Sequence, residues 1–181
     1  KNSAFGYHAL CANQTSGYNT AFGVCALRAN TGGYSTAIGS HALCGNTTGR
    51  NVGVGMSALK VNTTGSCNTA MGDHVMYNNT TGSQNTASGW YALFANTTGS
   101  YNSAFGWCSL RNNTTGNHNT AFGRFAIRSN STGECNTALG QQALYSNTTG
   151  SQNIAMGYQA AYENTTASNN VAFGVQALYY N

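Results

Sequence analysis

Two stretches decide the fold: NTTGSQNTASG at residues 79–89 and NTTGSYNSAFG at residues 96–106. The second restates the first seventeen residues later and changes only three letters. Internal repetition at a fixed period is the mark of a repeat architecture, so the whole chain is read against that period. Aligned on the glycine that closes each line, the repeats end at Gly6, Gly23, Gly39, Gly55, Gly72, Gly89, Gly106, Gly123, Gly140, Gly157 and Gly174. The step is 17 residues except for two steps of 16, and each short step falls in a turn. Residues 1–181 therefore read as one repeat domain of eleven tandem coils, with no linker and no second domain. The chain opens five residues before its first repeat glycine, without Met, and ends on a repeat asparagine. It reads as part of a longer array or as a subunit that stacks into a filament.

The columns of this alignment carry the chemistry. Four residues before the glycine stands Asn in all coils but one, where Ser35 replaces it: Asn2, Asn19, Asn51, Asn68, Asn85, Asn102, Asn119, Asn136, Asn153 and Asn170. Two before it stands Ala, with Gly53 the exception. The residue just before it is apolar (Phe5, Phe22, Ile38, Val54, Met71, Phe105, Phe122, Leu139, Met156, Phe173), with Ser88 the exception. Four after it is Leu, Met or Ile except at Ala161, and seven after it is always Asn. Asn, Thr and Gly are poor helix formers, and short Thr-, Val- and aromatic-bearing runs broken by Gly and Asn predict strands of about five residues. Two or three such strands fit one coil. Stacked coils place like residues about 4.8 Å apart, which gives a rod on the order of 50 Å long. The expectation is an all-β chain, a parallel β-solenoid (β-roll or β-helix) of eleven coils of about 17 residues. Its apolar columns would form the core and its Asn columns would form amide ladders of the kind known in stacked β-structure. The Ala column would mark a close approach of backbone to backbone.

Composition narrows the function. The chain has 7 Lys+Arg and 3 Asp+Glu, or 6% charged residues, where about a quarter is usual. A formal +4 spread along a rod is a weak field and does not point to nucleic acid. No apolar run reaches the roughly 18 residues of a membrane span. So little charge leaves the surface either associating or hydrated by something else.

The lines N-T-A-F-G, A-L and N-T-T-G resemble the repeats of bacteriophage and viral tail-fibre proteins. The stretch S-T-A-I-G, Ser35 to Gly39, also resembles the signature of the β-roll heads of trimeric autotransporter adhesins. That resemblance implies a left-handed parallel β-roll, an extracellular, cell-surface or virion-surface setting, and trimeric assembly.

The Asn seven after the glycine begins an Asn-x-Thr triplet at Asn13, Asn46, Asn62, Asn79, Asn96, Asn113, Asn130, Asn147 and Asn164. Two readings stand. The triplet is an N-glycosylation acceptor in a turn, with covalent glycans supplying the missing hydration. Alternatively, Asn and Thr simply make an Asx-turn. The middle residue drifts to Gln14 and Ser131 while the Thr does not, which favours the sugar.

Six cysteines fall in three columns, Cys11 with Cys44, Cys25 with Cys108 and Cys67 with Cys135, each pair at least two coils apart. That exceeds the roughly 7 Å Cα separation of a disulfide, so in-column bridges within the chain are not expected. His8, Cys25 and His41 share a column in successive coils, but the outer two stand about 9.6 Å apart, which suits a surface ladder better than a metal. No metal or other cofactor is expected. Asp73, Glu134 and Glu163 lie in different columns of separate coils, and no two can flank a bond. The chain is not expected to be an enzyme.

The leading functional expectation is an extracellular structural filament subunit or fibre shaft, sugar-coated along one face. An adhesin or phage tail-fibre receptor-binding shaft is the rival reading. It draws on the aromatic column Tyr77, Phe94, Tyr145, Tyr162 and Tyr179, with Trp90 and Trp107 nearby. Such aromatics serve self-association into a filament or trimer, or contact a carbohydrate or cell-surface partner. An ice-binding solenoid is a minor alternative, resting on the partial hydroxyl column Thr20, Thr36, Thr69 and Thr86.

Overall fold

A computed structural model describes all 181 residues. The chain winds into a parallel β-solenoid with a single sheet of eleven strands in sequence order, from β1 (Asn2–Phe5) and β2 (Asn19–Phe22) to β11 (Val171–Phe173). Every neighbouring pair is parallel and in repeat register: Ala104 lies beside Ala121, and Phe105 beside Phe122. Like therefore stacks on like, as the seventeen-residue period requires. There is no helix, so none is long and apolar enough to cross a membrane.

Each coil holds one strand of three or four residues, not two or three strands of five. The rest of the coil is a wound turn in which residues two, four and twelve after the glycine (eleven in the two short coils) take φ near +50° to +64°. Leu93 (φ 50°) and Ile127 (φ 48°) are among them. Left-handed backbone costs an L-residue about 1–2 kcal/mol, so nothing in the composition announces it. The stacking compensates. Of 120 backbone hydrogen bonds only 21 lie within strands, so the wound turns also bond from coil to coil. Leu93 N–H donates to the Ser109 carbonyl (3.0 Å) and Cys108 N–H to the Trp90 carbonyl (2.9 Å).

The interior is narrow and has two halves. One is apolar: the Ala columns and the Leu/Met/Ile column form a continuous cluster of 27 buried residues. At Gly53 an added Cβ would come within 3.2 Å of the Leu43 side chain, which shows why the column two before the repeat glycine stays small. That column is small because it faces the leucines. The close approach of backbone to backbone lies instead at the repeat glycine itself. A Cβ on Gly106, at φ +128°, would sit 2.6 Å from the Gly123 carbonyl oxygen.

The apolar column just before the glycine is not core. Strand side chains alternate in direction, and with the Ala inward this column points out. Phe5, Phe22, Ile38, Met71, Phe122, Leu139 and Phe173 are exposed, and Val54, Phe105 and Met156 are half-buried. The width of the coil decides the matter, because an interior filled by Leu and Ala has no room for a second bulky column.

Candidate functional site

The other half of the interior is built from amides. The Asn column four before the glycine forms the expected ladder. Asn102 N–H donates to Asn85 Oδ1 (2.9 Å) and Asn119 N–H to Asn102 Oδ1 (2.9 Å). The Nδ2 of Asn102 crosses the coil to the Gly116 carbonyl (2.9 Å). Asn51, Asn68, Asn85, Asn119, Asn136 and Asn153 repeat this crossing, and all are buried. The ladder bends at Ser35, whose hydroxyl accepts from Asn51 N–H at 3.3 Å.

The turn Asn column forms a second ladder that the sequence does not disclose as interior. Asn96 Nδ2 donates both hydrogens, to Asn79 Oδ1 (2.7 Å) and to the Gly99 carbonyl (2.9 Å). Asn62, Asn79, Asn113, Asn130 and Asn147 repeat the pair, and Asn164 does so with the Ala167 carbonyl. Asn46 donates to Asn30 Oδ1 and to the Thr48 carbonyl. Asn46, Asn62, Asn79, Asn96, Asn113, Asn130, Asn147 and Asn164 are fully buried, and Asn13 in the first coil is half-buried with its Nδ2 on the Ser16 carbonyl. Burial stands against a sugar on the eight buried asparagines in the folded chain, and Asn13 is the one that solvent reaches. A sugar on Nδ2 would take a hydrogen that the ladder uses, and the folded interior has no space for it. The residue after each Asn completes the turn: Thr97 Oγ1 donates to the Thr114 carbonyl of the next coil (3.1 Å).

The outer face of the sheet pairs the exposed apolar column with the column two residues earlier, Thr20, Thr36, Val52, Thr69, Thr86, Ser103, Thr120, Thr137, Ile154 and Val171. Neither column holds a charge over eleven coils. The hydroxyl column thus has a bulky apolar neighbour and three interruptions, Val52, Ile154 and Val171, not a second row of Thr.

The aromatic column five after the glycine is half-buried and stacks along the rod. Tyr145 lies 5.0 Å from Tyr162, Tyr162 5.1 Å from Tyr179, and Tyr77 5.6 Å from Phe94, centroid to centroid. Cations fill the gaps. Lys60 sits 5.2 Å from the Tyr77 ring, and Arg111 and Arg128 occupy the rungs between Phe94 and Tyr145. Trp90 and Trp107, one after the glycine, are 47% and 40% exposed and lie 5.6 Å apart. Beside them Arg124 stacks on Trp107 (4.5 Å) and Phe125 (4.6 Å). Sequence reasoning missed this gathering of Arg111, Arg124 and Arg128. The available signal is that three of the seven cations fall within two successive coils.

The histidines join surface stacks: His74 bonds Asp73 (2.7 Å) and lies 5.3 Å from the Tyr91 ring, and His41 bonds Ser40 (2.9 Å). All six cysteines are free, with Cys11, Cys67 and Cys135 exposed and Cys25, Cys44 and Cys108 buried. Burial pushes the Cys44 and Cys108 thiols up, partly opposed by nearby arginines. Burial raises Tyr162, and its neighbours Tyr145 and Tyr179 add to the rise. No known protein family, curated protein or solved structure matches the chain.

Proposed function

We propose that the chain is a non-catalytic fibre shaft that associates side by side with further copies of itself through the outer face of its sheet. The observation that carries this reading is the exposed apolar column from Phe5 to Phe173 on a face without charge. Two columns about 7 Å apart, running some 50 Å, make a stripe of roughly 350 Å², one column apolar and the other mostly hydroxyl. Exposed apolar patches of that size mark association, and flanking rows bring the area towards the ~800 Å² per partner of a standard interface. A second copy supplies an equally uncharged, equally ribbed surface, whereas a charged partner would gain nothing there. Stiffness supports the same reading, because coil-to-coil hydrogen bonds run through strand, turn and both amide ladders. The resemblance of the repeat to tail-fibre and adhesin heads supports an extracellular or virion-surface setting.

Sedimentation velocity over a range of concentrations tests the proposal. The unmodified chain should form dimers or larger assemblies, and Phe22→Lys with Phe122→Lys should return it to monomer with an unchanged circular dichroism spectrum. A chain that stays monomeric at every concentration, or a double variant that assembles as before, sinks it.

A further inference from the structure

The outer face of the sheet carries no charge, but the column that borders it across the repeat glycine carries two. Asp73 follows Gly72, the fifth repeat glycine, and Arg124 follows Gly123, the eighth; every other position of that column is uncharged. Three rungs of about 4.8 Å hold the two roughly 14 Å apart, so they do not pair within one chain. The Asp73 carboxylate bonds only His74, at 2.7 Å, and its side chain is 40% exposed. Arg124 is exposed and stacks on Trp107 and Phe125 with no acid beside it. A guanidinium stacked in this way keeps the N–H groups of its edge free for a carboxylate.

Two copies packed face to face about a two-fold axis have two arrangements open to them. With the axis along the rods, the rods lie parallel and each coil faces its own equivalent with the columns in reverse order. Asp73 then never reaches Arg124 of the second copy. With the axis along the strands, the rods lie antiparallel and each column faces itself. An axis midway between the sixth and seventh coils then sets Asp73 opposite Arg124, once on each side. In the apolar column the same register sets Ser88 opposite Phe105. Ser88 is the one member of that column without an apolar side chain, so its only gap receives a phenyl ring. Charge and shape select the same register from different columns. It also brings Trp90, 47% exposed, against Trp107, 40% exposed, so that four indoles gather at the axis. We propose that the second copy docks antiparallel about an axis between Trp90 and Trp107, with Asp73 of each chain bonded to Arg124 of the other. The inference rests on side-by-side association through the outer face and gives it a direction and a register. Because a two-fold contact uses the same patch on both copies, it closes at two shafts.

The test is sedimentation velocity of the full chain, of Asp73→Arg, of Arg124→Asp and of the chain carrying both changes, each over a concentration series. Either single change sets two like-charge contacts across the axis and should weaken the dimer by about tenfold or more. An equimolar mixture of the two single variants rebuilds both pairs and should assemble nearly as tightly as the unmodified chain. The doubly changed chain, whose net charge is unaltered, should do the same. Trp90 and Trp107 are the only tryptophans of the chain, so its emission should shift to the blue as the dimer forms. Should a charge reversal abolish the circular dichroism signal, Asp73→Asn and Arg124→Gln take its place, each expected to weaken the dimer severalfold. Three results overturn the antiparallel register while side-by-side association stands: assembly untouched by the single changes, a mixture and a double variant no tighter than the single variants, or a dimer with unchanged tryptophan emission. A chain that stays monomeric at every concentration removes both.

Discussion

Asn96 sits between Asn79 and Gly99 with both hydrogens of its side-chain amide committed, one to each. The amide oxygen of Asn96 in turn accepts from Asn113 Nδ2 at 2.8 Å. Every position of the group is thus filled by a neighbour of the same kind, and the chain of amides continues in both directions. No other side chain of this size offers two donors and an acceptor in that plane.

Asn96→Ala should therefore cost more than an average core truncation. It leaves the Asn79 oxygen and one hydrogen of the Asn113 amide without a partner, each worth about 1–3 kcal/mol when buried so, and takes one of two donors from the Gly99 carbonyl, which keeps Asn85 Nδ2. A loss of about 3 kcal/mol or more is expected from urea denaturation.

Asn96→Asp should be worse near neutral pH, because a carboxylate turns an oxygen toward two oxygens that expect a donor. Burial and that repulsion raise the folded-state pKa of the new acid above its unfolded value near 3.9. The variant then keeps its stability below that unfolded value and loses it as pH rises through the window between the two. Melting temperatures at pH 3 and pH 7 check the order, and greater stability at pH 7 would contradict the ladder.

No sugar should be found on the eight buried triplet asparagines of the folded chain, Asn46 to Asn164. Peptide mapping by mass spectrometry decides this, and a glycan on Asn96 or Asn113 would mean that the interior described here does not form.

The exposed left-handed positions should tolerate glycine with profit. Gln84 has φ 58° and an exposed side chain, and its backbone N–H donates to the Ser66 carbonyl at 2.9 Å. Gln84→Gly relieves about 1–2 kcal/mol of strain and loosens the unfolded chain by somewhat less, for a net gain of about 0.5 kcal/mol or more. A lowered melting temperature would count against the wound-turn geometry.

Thiol labelling should split the cysteines three and three. Cys11, Cys67 and Cys135 should react with iodoacetamide in the native state, and Cys25, Cys44 and Cys108 only on unfolding. Burial favours the neutral thiol at Cys44 and Cys108, so their pKa values lie above the ordinary 9.0 in the fold. Stability from these two is level below that value and falls above it, where the unfolded chain ionises first. Denaturation midpoints at pH 8 and pH 10 give the direction.

The period made the stacking legible. Once Gly89 and Gly106 are aligned, the parallel register and the ladder from Asn19 to Asn170 follow from strand geometry. The section of one coil was not legible. Leu, Met and Ile at φ near +50° contradict ordinary preferences, so their runs read as strand and the narrow section of the coil stays hidden. A wider coil would have sheltered Phe105 and Phe122 and placed Asn96 on the outside. The narrow coil does the opposite to both. The arginine cluster escaped because Arg111, Arg124 and Arg128 occupy two columns that other coils fill mostly with uncharged residues.

Because each rung is bounded above and below by a near copy of itself, length is the one dimension of this molecule that sequence can edit freely. Unequal recombination that removes or duplicates one seventeen-residue line leaves every wall continuous across the seam. The two sixteen-residue steps record that even a line short by one letter is absorbed at the corner. Shafts of many reaches are thus open to the lineage without any new invention in how a single turn is folded.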